Sequence, residues 1–493
     1  MRPLAVAAPS REAADAAEAI ARAGGSAVDA AIAAALVSMV TEVGLVSLSS
    51  GGFVTVQPAA GAAYTVDGWM DRPGIGRDPE APAPRTWDVS TEYGGGVEIT
   101  IGAGSVATHG SLAAFGEAHA RDGRLPWAEL VGPAIEVARG GFALGSASRH
   151  YLGHVHESIF GWDPASHAAL HDGSGRLTEE RVVVADLAAT LELIAADGPR
   201  ALHRGDLADA IAADVAARGG LLGRADLAAY IPVVRDPLTT RVRGWSLSTT
   251  TPPSVGGVVV AAMLRLLEDR PGTSWDADDV AHLVRVQRAV LGHRREVLDV
   301  TADLPAASRD WLDRVDADHR AVLESGSTAH VSVTDADGSA CSLTVSSGYG
   351  AGMIAAGTGI WLNNCLGEQE LNPPARHVGP GERLLSNMAP VVGRHEDGST
   401  LAIGSPGADR ITTAVVCALA GFVNGGLDLE AAVAHPRVHV HRAGLPDEDV
   451  RVEEELTMYF GGVGAALTRA DGTLEAVADP RREGEGRVVG LSP

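Results

Sequence analysis

The stretch Glu324-Ser-Gly-Ser-Thr328-Ala-His-Val-Ser-Val-Thr-Asp-Ala-Asp-Gly338 decides how the chain is read. It begins as a small polar loop and then changes character. From His330 onward polar and apolar residues alternate with period two, the signature of a strand with two unlike faces. Asp335-Ala-Asp-Gly338 has the composition of a hairpin turn, and Cys341-Ser-Leu-Thr-Val continues as the partner strand. Thr328 therefore sits at the mouth of a hairpin. Such a loop is usually no more than a loop. A Thr in it gains chemistry if the peptide bond before it breaks, because the freed α-amine can act as general base for the neighbouring hydroxyl. Gly326-Ser327 supplies the flexible, uncrowded approach that self-cleavage needs.

Working outward, the pattern alternates between helices and strands without repeats or a low-complexity linker. Residues 11–40 read as two Ala-rich helices broken at Gly24-Gly25, the second (27–40) apolar almost all round and so buried. Phe53-Val-Thr-Val and Ala63-Tyr-Thr-Val-Asp read as paired strands, and residues 74–96 as an irregular loop. Residues 111–215 are mainly helical, with a stop at Gly140-Gly141. Strands follow at 240–242 and 246–250, then helices at 258–268 and 277–301. Beyond the hairpin, Gly359-Ile-Trp-Leu and Leu401-Ala-Ile read as strands, and 411–424 as a helix. One intertwined α/β domain is expected.

Composition narrows the chemistry. The 493 residues are 45% hydrophobic and 21% charged, as in a folded globular protein. All 39 basic residues are Arg. Without Lys there is no Schiff-base or pyridoxal-phosphate lysine, no Walker A lysine and no Ser-x-x-Lys pair. A net charge of −24 disfavours nucleic acid and anionic membrane surfaces as partners. Cys341, Cys365 and Cys417 form neither a disulfide framework nor a zinc pattern. The first residues lack a signal-peptide core and no apolar run is long enough to span a membrane, so a cytoplasmic protein is expected.

Blocks in fixed order then give a resemblance. Thr328-Ala-His-Val-Ser-Val, Asp337-Gly-Ser-Ala, Leu343-Thr-Val-Ser, Gly357-Thr-Gly-Ile-Trp-Leu-Asn-Asn364, Leu385-Ser-Asn-Met-Ala-Pro390, Gly404-Ser-Pro-Gly-Ala-Asp-Arg-Ile411 and His435-Pro-Arg-Val-His439 resemble segments of the γ-glutamyltranspeptidase family. So do Gly24-Gly-Ser-Ala-Val-Asp-Ala-Ala-Ile, Gly123-Arg-Leu-Pro-Trp-Ala-Glu-Leu, Asp226-Leu-Ala-Ala-Tyr and Pro252-Pro-Ser-Val-Gly-Gly257. The resemblance implies the four-layer αββα sandwich of N-terminal-nucleophile hydrolases. It implies a cut between Ser327 and Thr328 into a large subunit, 1–327, and a small one, 328–493. The two would stay together as an αβ heterodimer, with a further dimer of these open. Thr328 would form an acyl-enzyme, Ser346 would hold its amine, and the backbone N–H groups of Gly407 and Ala408 would form the oxyanion hole. No metal or other cofactor is expected, and the partner is a small-molecule substrate.

The pocket departs from the family. Where its members carry an Arg to clamp the substrate carboxylate, Asp67-Gly-Trp-Met-Asp-Arg72 has Trp69, with Arg72 three residues further on. Gly348 replaces an Asn, and Cys365 follows Asn364 in place of Gln or Glu. Glu368 stands for the usual Asp, and Ser386-Asn387 for a Ser-Ser pair. The span from Glu368 to Ser386 is too short for a long lid. Changes confined to substrate recognition, with the nucleophile kept, point to a changed substrate, and Trp69 to a flatter or more apolar one. Two alternatives accompany this reading. One is C–C bond cleavage by the same Thr, as in relatives that make alkylproline units of antibiotics. The other is a non-catalytic binding protein on the same scaffold. Three weaker signals are Ile101-Gly-Ala-Gly-Ser-Val-Ala107, which mimics a dinucleotide turn, and the pairs His154/His156 and His439/His441, each with two imidazoles on one strand face.

Overall fold

The computed structural model describes residues 2–93, 96–267, 275–315, 328–372, 376–407 and 410–490. Ser327 and Ala408 lie outside the described residues. Two antiparallel sheets form the middle of the molecule. The first has seven strands in the order Glu485–Val489, Leu4–Ala8, Ala329–Asp335, Ala340–Ser346, Gly51–Gln57, Tyr64–Gly68 and Val233–Arg235. The second has six, in the order Leu474–Ala478, Gly464–Thr468, Thr400–Gly404, Val391–His395, Trp245–Thr249 and Leu238–Val242.

Strand alternation builds the layers. On the central strands of the first sheet Ala329, Val331, Val333, Cys341, Leu343 and Val345 join one apolar core with the helices Arg11–Arg22, Ala27–Thr41 and Trp127–Gly140. The outer face of the second sheet forms another core with Val255–Leu266, Ala277–His293 and Arg410–Leu419. Helices thus cover both sheets, giving helix, sheet, sheet, helix. The buried second helix is fixed by a capping box: Asp29 N–H donates to Ser26 Oγ (3.1 Å), and Ser26 N–H donates to Asp29 Oδ2 (2.9 Å).

The space between the sheets is polar, because the even-numbered residues of the hairpin face it. His330 Nδ1 bonds Thr344 Oγ1 (2.8 Å) and its Nε2 bonds Ser332 Oγ (2.7 Å). Ser332 and Ser342 donate across the gap to the carbonyls of Gly464 and Ile403, each at 3.0 Å. Burial pulls the His330 pKa down to about 3, so the ring is neutral. Gly404 lies against that ring; a Cβ there would fall 2.3 Å from His330 Cε1.

The structure corrects the sequence reading in two places. Residues 74–96 are not wholly irregular: Trp87–Thr91 pairs antiparallel with Val97–Ile101. The Gly102–Ala107 segment follows this hairpin and not the first strand of a βαβ unit, in keeping with the weakness of that signal. His154 ends the helix Ser146–Val155 and His156 follows it, so that pair shares no strand face.

Candidate active site

The hairpin register places the central pair. Ala329 is opposite Val345, and continuing by one residue sets Thr328 opposite Ser346, the last residue of its strand. Directly opposed residues hold their Cβ atoms about 5 Å apart on one face. Thr328 is buried, and strand alternation puts it on the face of His330, toward the second sheet. The strand Thr400–Gly404 ends there. Its direction from Ile403, at the level of Ser342, to Gly404, at His330, carries Ser405-Pro406-Gly407 toward Thr328.

Gly407 has φ +129°, a conformation that favours glycine, and a Cβ on it would meet Gly461 Cα at 2.8 Å. Ser405 Oγ accepts from Gly462 N–H (3.0 Å), bracing the turn from the same side. Ser346 Oγ accepts from Gly348 N–H (3.0 Å).

Gly348, Asn364, Cys365 and Glu368 come together. A Cβ on Gly348 would fall 2.5 Å from Asn364 Oδ1 and 3.1 Å from the Glu368 carboxyl. Asn364 Oδ1 accepts from Tyr349 N–H (2.6 Å) and its Nδ2 donates to the Thr100 carbonyl (3.1 Å). Glu368 is buried, and Oε2 has no hydrogen-bond partner among the described residues. Burial, aided by Glu370, pushes its pKa up to about 8, against the hydrogen bond from Cys365. Burial likewise pushes the Cys365 thiol well above its ordinary value.

A raised carboxyl pKa has a signed consequence. Glu368 keeps its proton in the fold up to about pH 8, whereas its ordinary value is 4.5. Its contribution to stability is fully present below 4.5 and is lost as pH rises through 8, by about 1.4 kcal/mol per pH unit between those limits. Glu368→Gln removes this titration. Its melting temperature relative to the parent is expected to rise between about pH 5 and pH 8. A constant difference would show that Glu368 ionises normally.

Trp69 closes the apolar side. It is buried, stacked on Phe53 at 6.4 Å between ring centroids, and its Nε1 donates to the Leu385 carbonyl (2.7 Å). The ring lies under Gly51, which pairs with Ser346. It shares one apolar cluster with Leu385 and Cys365. It thus fills space beside the pair and offers almost no free face for stacking. Ser386 and Asn387 follow Leu385, strapped over the start of helix Val255–Leu266 by Val255 N–H to the Ser386 carbonyl (2.8 Å). Both polar atoms of the Asn387 side chain are buried without a partner among the described residues.

Arg72 is not brought to this cluster. It is exposed, and its backbone pairs with Gly381 and Glu382. The guanidinium that does approach is Arg383. It is committed to Asp67 and Asp71 and lies over the Tyr230 ring at 4.5 Å.

The sequence reading missed Asn363 and a set of serines. Asn363 Nδ2 donates to Ser49 O, Ser49 Oγ and Ala107 O, all at 3.0 Å, while Oδ1 accepts from Ala107 N–H (2.9 Å) and Cys365 N–H (3.2 Å). Ser347 Oγ joins Ser47 Oγ (3.0 Å) and Ser50 Oγ (2.8 Å). The signal was present in Ser47-Leu-Ser-Ser50 and Asn363-Asn364, dense runs of short polar side chains beside buried strands. Among the described residues no three His, Cys, Asp or Glu side chains are grouped to hold a metal ion. No helix there is long and apolar enough to cross a membrane.

Two sheets faced by helices, with a Thr at the mouth of a central hairpin, are the architecture of the N-terminal-nucleophile hydrolases, a class of hydrolases and transferases. Residues 13–489 match the gamma-glutamyltranspeptidase family. The chain is 32% identical to the acylase ACY 1 proenzyme of Pseudomonas sp. (strain V22), over 94% of this chain and 89% of that one. It is 28% identical to the glutathione hydrolase proenzyme of Escherichia coli (strain K12), over 93% and 87%. Among solved structures, cephalosporin acylase from Bacillus halodurans has a TM-score of 0.80 at 21% identity, covering 100% of this chain and 96% of that one. LmbA2991HD has a TM-score of 0.76, also at 21% identity, covering 99% and 98%. At that identity the two structures establish the fold alone. The chain belongs to the gamma-glutamyltranspeptidase family.

Proposed function

We propose that the chain is a precursor that cuts itself between Ser327 and Thr328, and that Thr328 then transfers or hydrolyses an acyl group other than γ-glutamyl. The freed α-amine takes the proton of Thr328 Oγ as the oxygen attacks the substrate carbonyl. Ser346, opposite in register, holds that amine. The N–H groups of Gly407 and Ala408 receive the oxyanion. The intermediate collapses to an ester on Thr328 as the C–N bond breaks, and the amine half leaves with the proton. Water or a second amine releases the acyl group.

The observation that carries the altered selectivity is Trp69. It occupies the place of the carboxylate clamp, and the guanidinium of Arg383 is committed to two aspartates. A bidentate Arg–carboxylate pair is replaced by an indole. Glu368, holding its proton to about pH 8, is a weak anchor for an ammonium group. Both ends of a γ-glutamyl head are thus poorly met. Similarity to an acylase proenzyme at 32% identity supports an acylase-type reaction, and the proenzyme names of the relatives support a cut precursor.

Two measurements test this. The purified protein, denatured and weighed, is expected to give two species of roughly two-thirds and one-third of 50.5 kDa, the smaller beginning at Thr328. A single species of full mass overturns the maturation. γ-Glutamyl-p-nitroanilide is expected to be turned over at least about 100-fold less efficiently than by a family member with the Arg clamp, in line with a loss of a few kcal/mol. Comparable turnover overturns the altered selectivity.

A further inference from the structure

A cavity of about 420 Å³ lies beside the Gly407 turn. That is room for a small ligand. Its walls touch the catalytic elements directly. Leu45 accepts through its carbonyl from Ser347 N–H (3.3 Å), next to Ser346. Arg410 N–H donates to the Gly407 carbonyl (3.0 Å). Tyr459 precedes Gly461, the residue against which Gly407 packs. None of the acyl-side residues Trp69, Gly348, Asn364, Cys365, Glu368, Ser386 or Asn387 lines it.

Its charge runs against the rest of the molecule. In a chain of net charge −24, the described lining residues include Arg410, Arg481, Arg482 and His150 and no carboxylate. Arg481 is neutralised by Glu453 and Asp479 in a buried network. Arg410 donates through Nε to the Tyr459 carbonyl (2.9 Å) and stacks on that ring at 4.7 Å. Arg482 differs from both. It has no ion pair within 4.0 Å among the described residues, and its Nε is buried without a partner. In an adjoining cavity Arg482 shares the walls with Glu12, Glu42 and Glu483, and burial pushes the Glu42 pKa up to about 7, so these carboxylates offset its charge from a distance and without a direct pair. His150 is held below its ordinary pKa by burial, then by His154 and Arg482. The Arg482 stem lies on Gly462, where a Cβ would fall 2.4 Å from Arg482 Cδ. The guanidinium is therefore carried on the loop that braces Gly407. Tyr93 and Tyr459 add aromatic faces.

We infer that this cavity is a carboxylate site anchored by Arg482, and that it seats the amine-side half of an acyl-amide substrate. One guanidinium without an ion pair in the cavity, beside aromatic walls, matches a monoanion on a small ring or chain, and a planar fork matches a carboxylate. The assignment to the departing half rests on the proposed reaction at Thr328. The carboxylate site itself rests on the cavity.

The test uses the whole purified protein and two isosteric probes, 4-fluorobenzoate and 4-fluorobenzamide, titrated with ¹⁹F NMR detection. The benzoate is expected to bind at least about tenfold more tightly than the benzamide, the worth of one good charge-assisted pair. Arg482→Ala is expected to abolish the difference. Arg482→Gln, which keeps the stem on Gly462, should abolish it too, and Arg482→Lys should retain part of it. Equal binding of the two probes, or an unchanged preference in Arg482→Gln, overturns the site. With one common acyl group, N-acyl-4-aminobenzoate should exceed N-acyl-4-aminobenzamide in kcat/KM by a similar factor, and that ratio should collapse toward one in Arg482→Gln. A ratio of one in the parent protein overturns the assignment to the departing half. An uncut protein that still prefers benzoate would overturn the hydrolase reading and leave the carboxylate site standing.

Discussion

Thr328→Ala is expected to run as one chain of 50.5 kDa and to lose activity by at least about 10³-fold, as when a nucleophile is removed from a covalent mechanism. Two losses coincide. The hydroxyl that attacks the bond before residue 328 is gone, so no α-amine forms, and the hydroxyl that attacks substrate is gone as well. The fold should survive, because the change removes one hydroxyl and one methyl at the mouth of a hairpin whose other contacts persist. Its melting temperature should therefore stay near that of the uncut precursor. Mass spectrometry and a rate assay on the same sample decide the matter. A cleaved or active Thr328→Ala protein would remove the nucleophile assignment altogether.

Gly407→Ala is expected to reduce kcat by about 10² to 10³-fold, the typical cost of losing one oxyanion donor. The argument is geometric. At φ +129° a side chain is strained, and its Cβ would overlap the Gly461 backbone at 2.8 Å. Backbone cannot step aside as the end of a flexible side chain can, so the turn must rotate and its N–H must move. Gly426→Ala is the control. It also has positive φ (+68°), but nothing lies within 4 Å of its added Cβ. It should cost stability and leave the rate of the matured enzyme alone. Full activity in Gly407→Ala would remove the oxyanion role from this turn.

The fold was legible wherever a periodic pattern met a turn. The Ala-rich helix at 27–40, the His330 hairpin and the strand before Gly404 all stand near their expected bounds. Trp87–Thr91 was not legible. Its alternation is short, lies among Pro and Gly, and is completed only by its partner at Val97–Ile101. The site divides in the same way. The nearness of Gly348, Asn364, Cys365 and Glu368 follows from the short hairpin of Ile354–Ala355 and Ile360–Trp361 between them. That Trp69 would be pinned to the Leu385 carbonyl, or that Arg383 would reach Asp67, depends on contacts more than 300 residues apart in sequence. The basic cavity is beyond local reading altogether, since it joins residues near 45, 93, 150, 410, 459 and 482.

The first sheet interleaves the two ends of the chain. Leu4–Ala8 lies between Glu485–Val489 and Ala329–Asp335, and Gly51–Gln57 lies beside Ala340–Ser346. If the bond before Thr328 is cut as proposed, three of the seams that hold this sheet together join one fragment to the other. Neither fragment then owns a complete sheet. The precursor would fold as a unimolecular search, whereas the matured pair, once denatured, would have to find itself again by collision. Recovery would then depend on protein concentration, and dilution alone would favour loss. The proposed maturation would thus be a ratchet, leaving an enzyme whose native state is easier to keep than to regain.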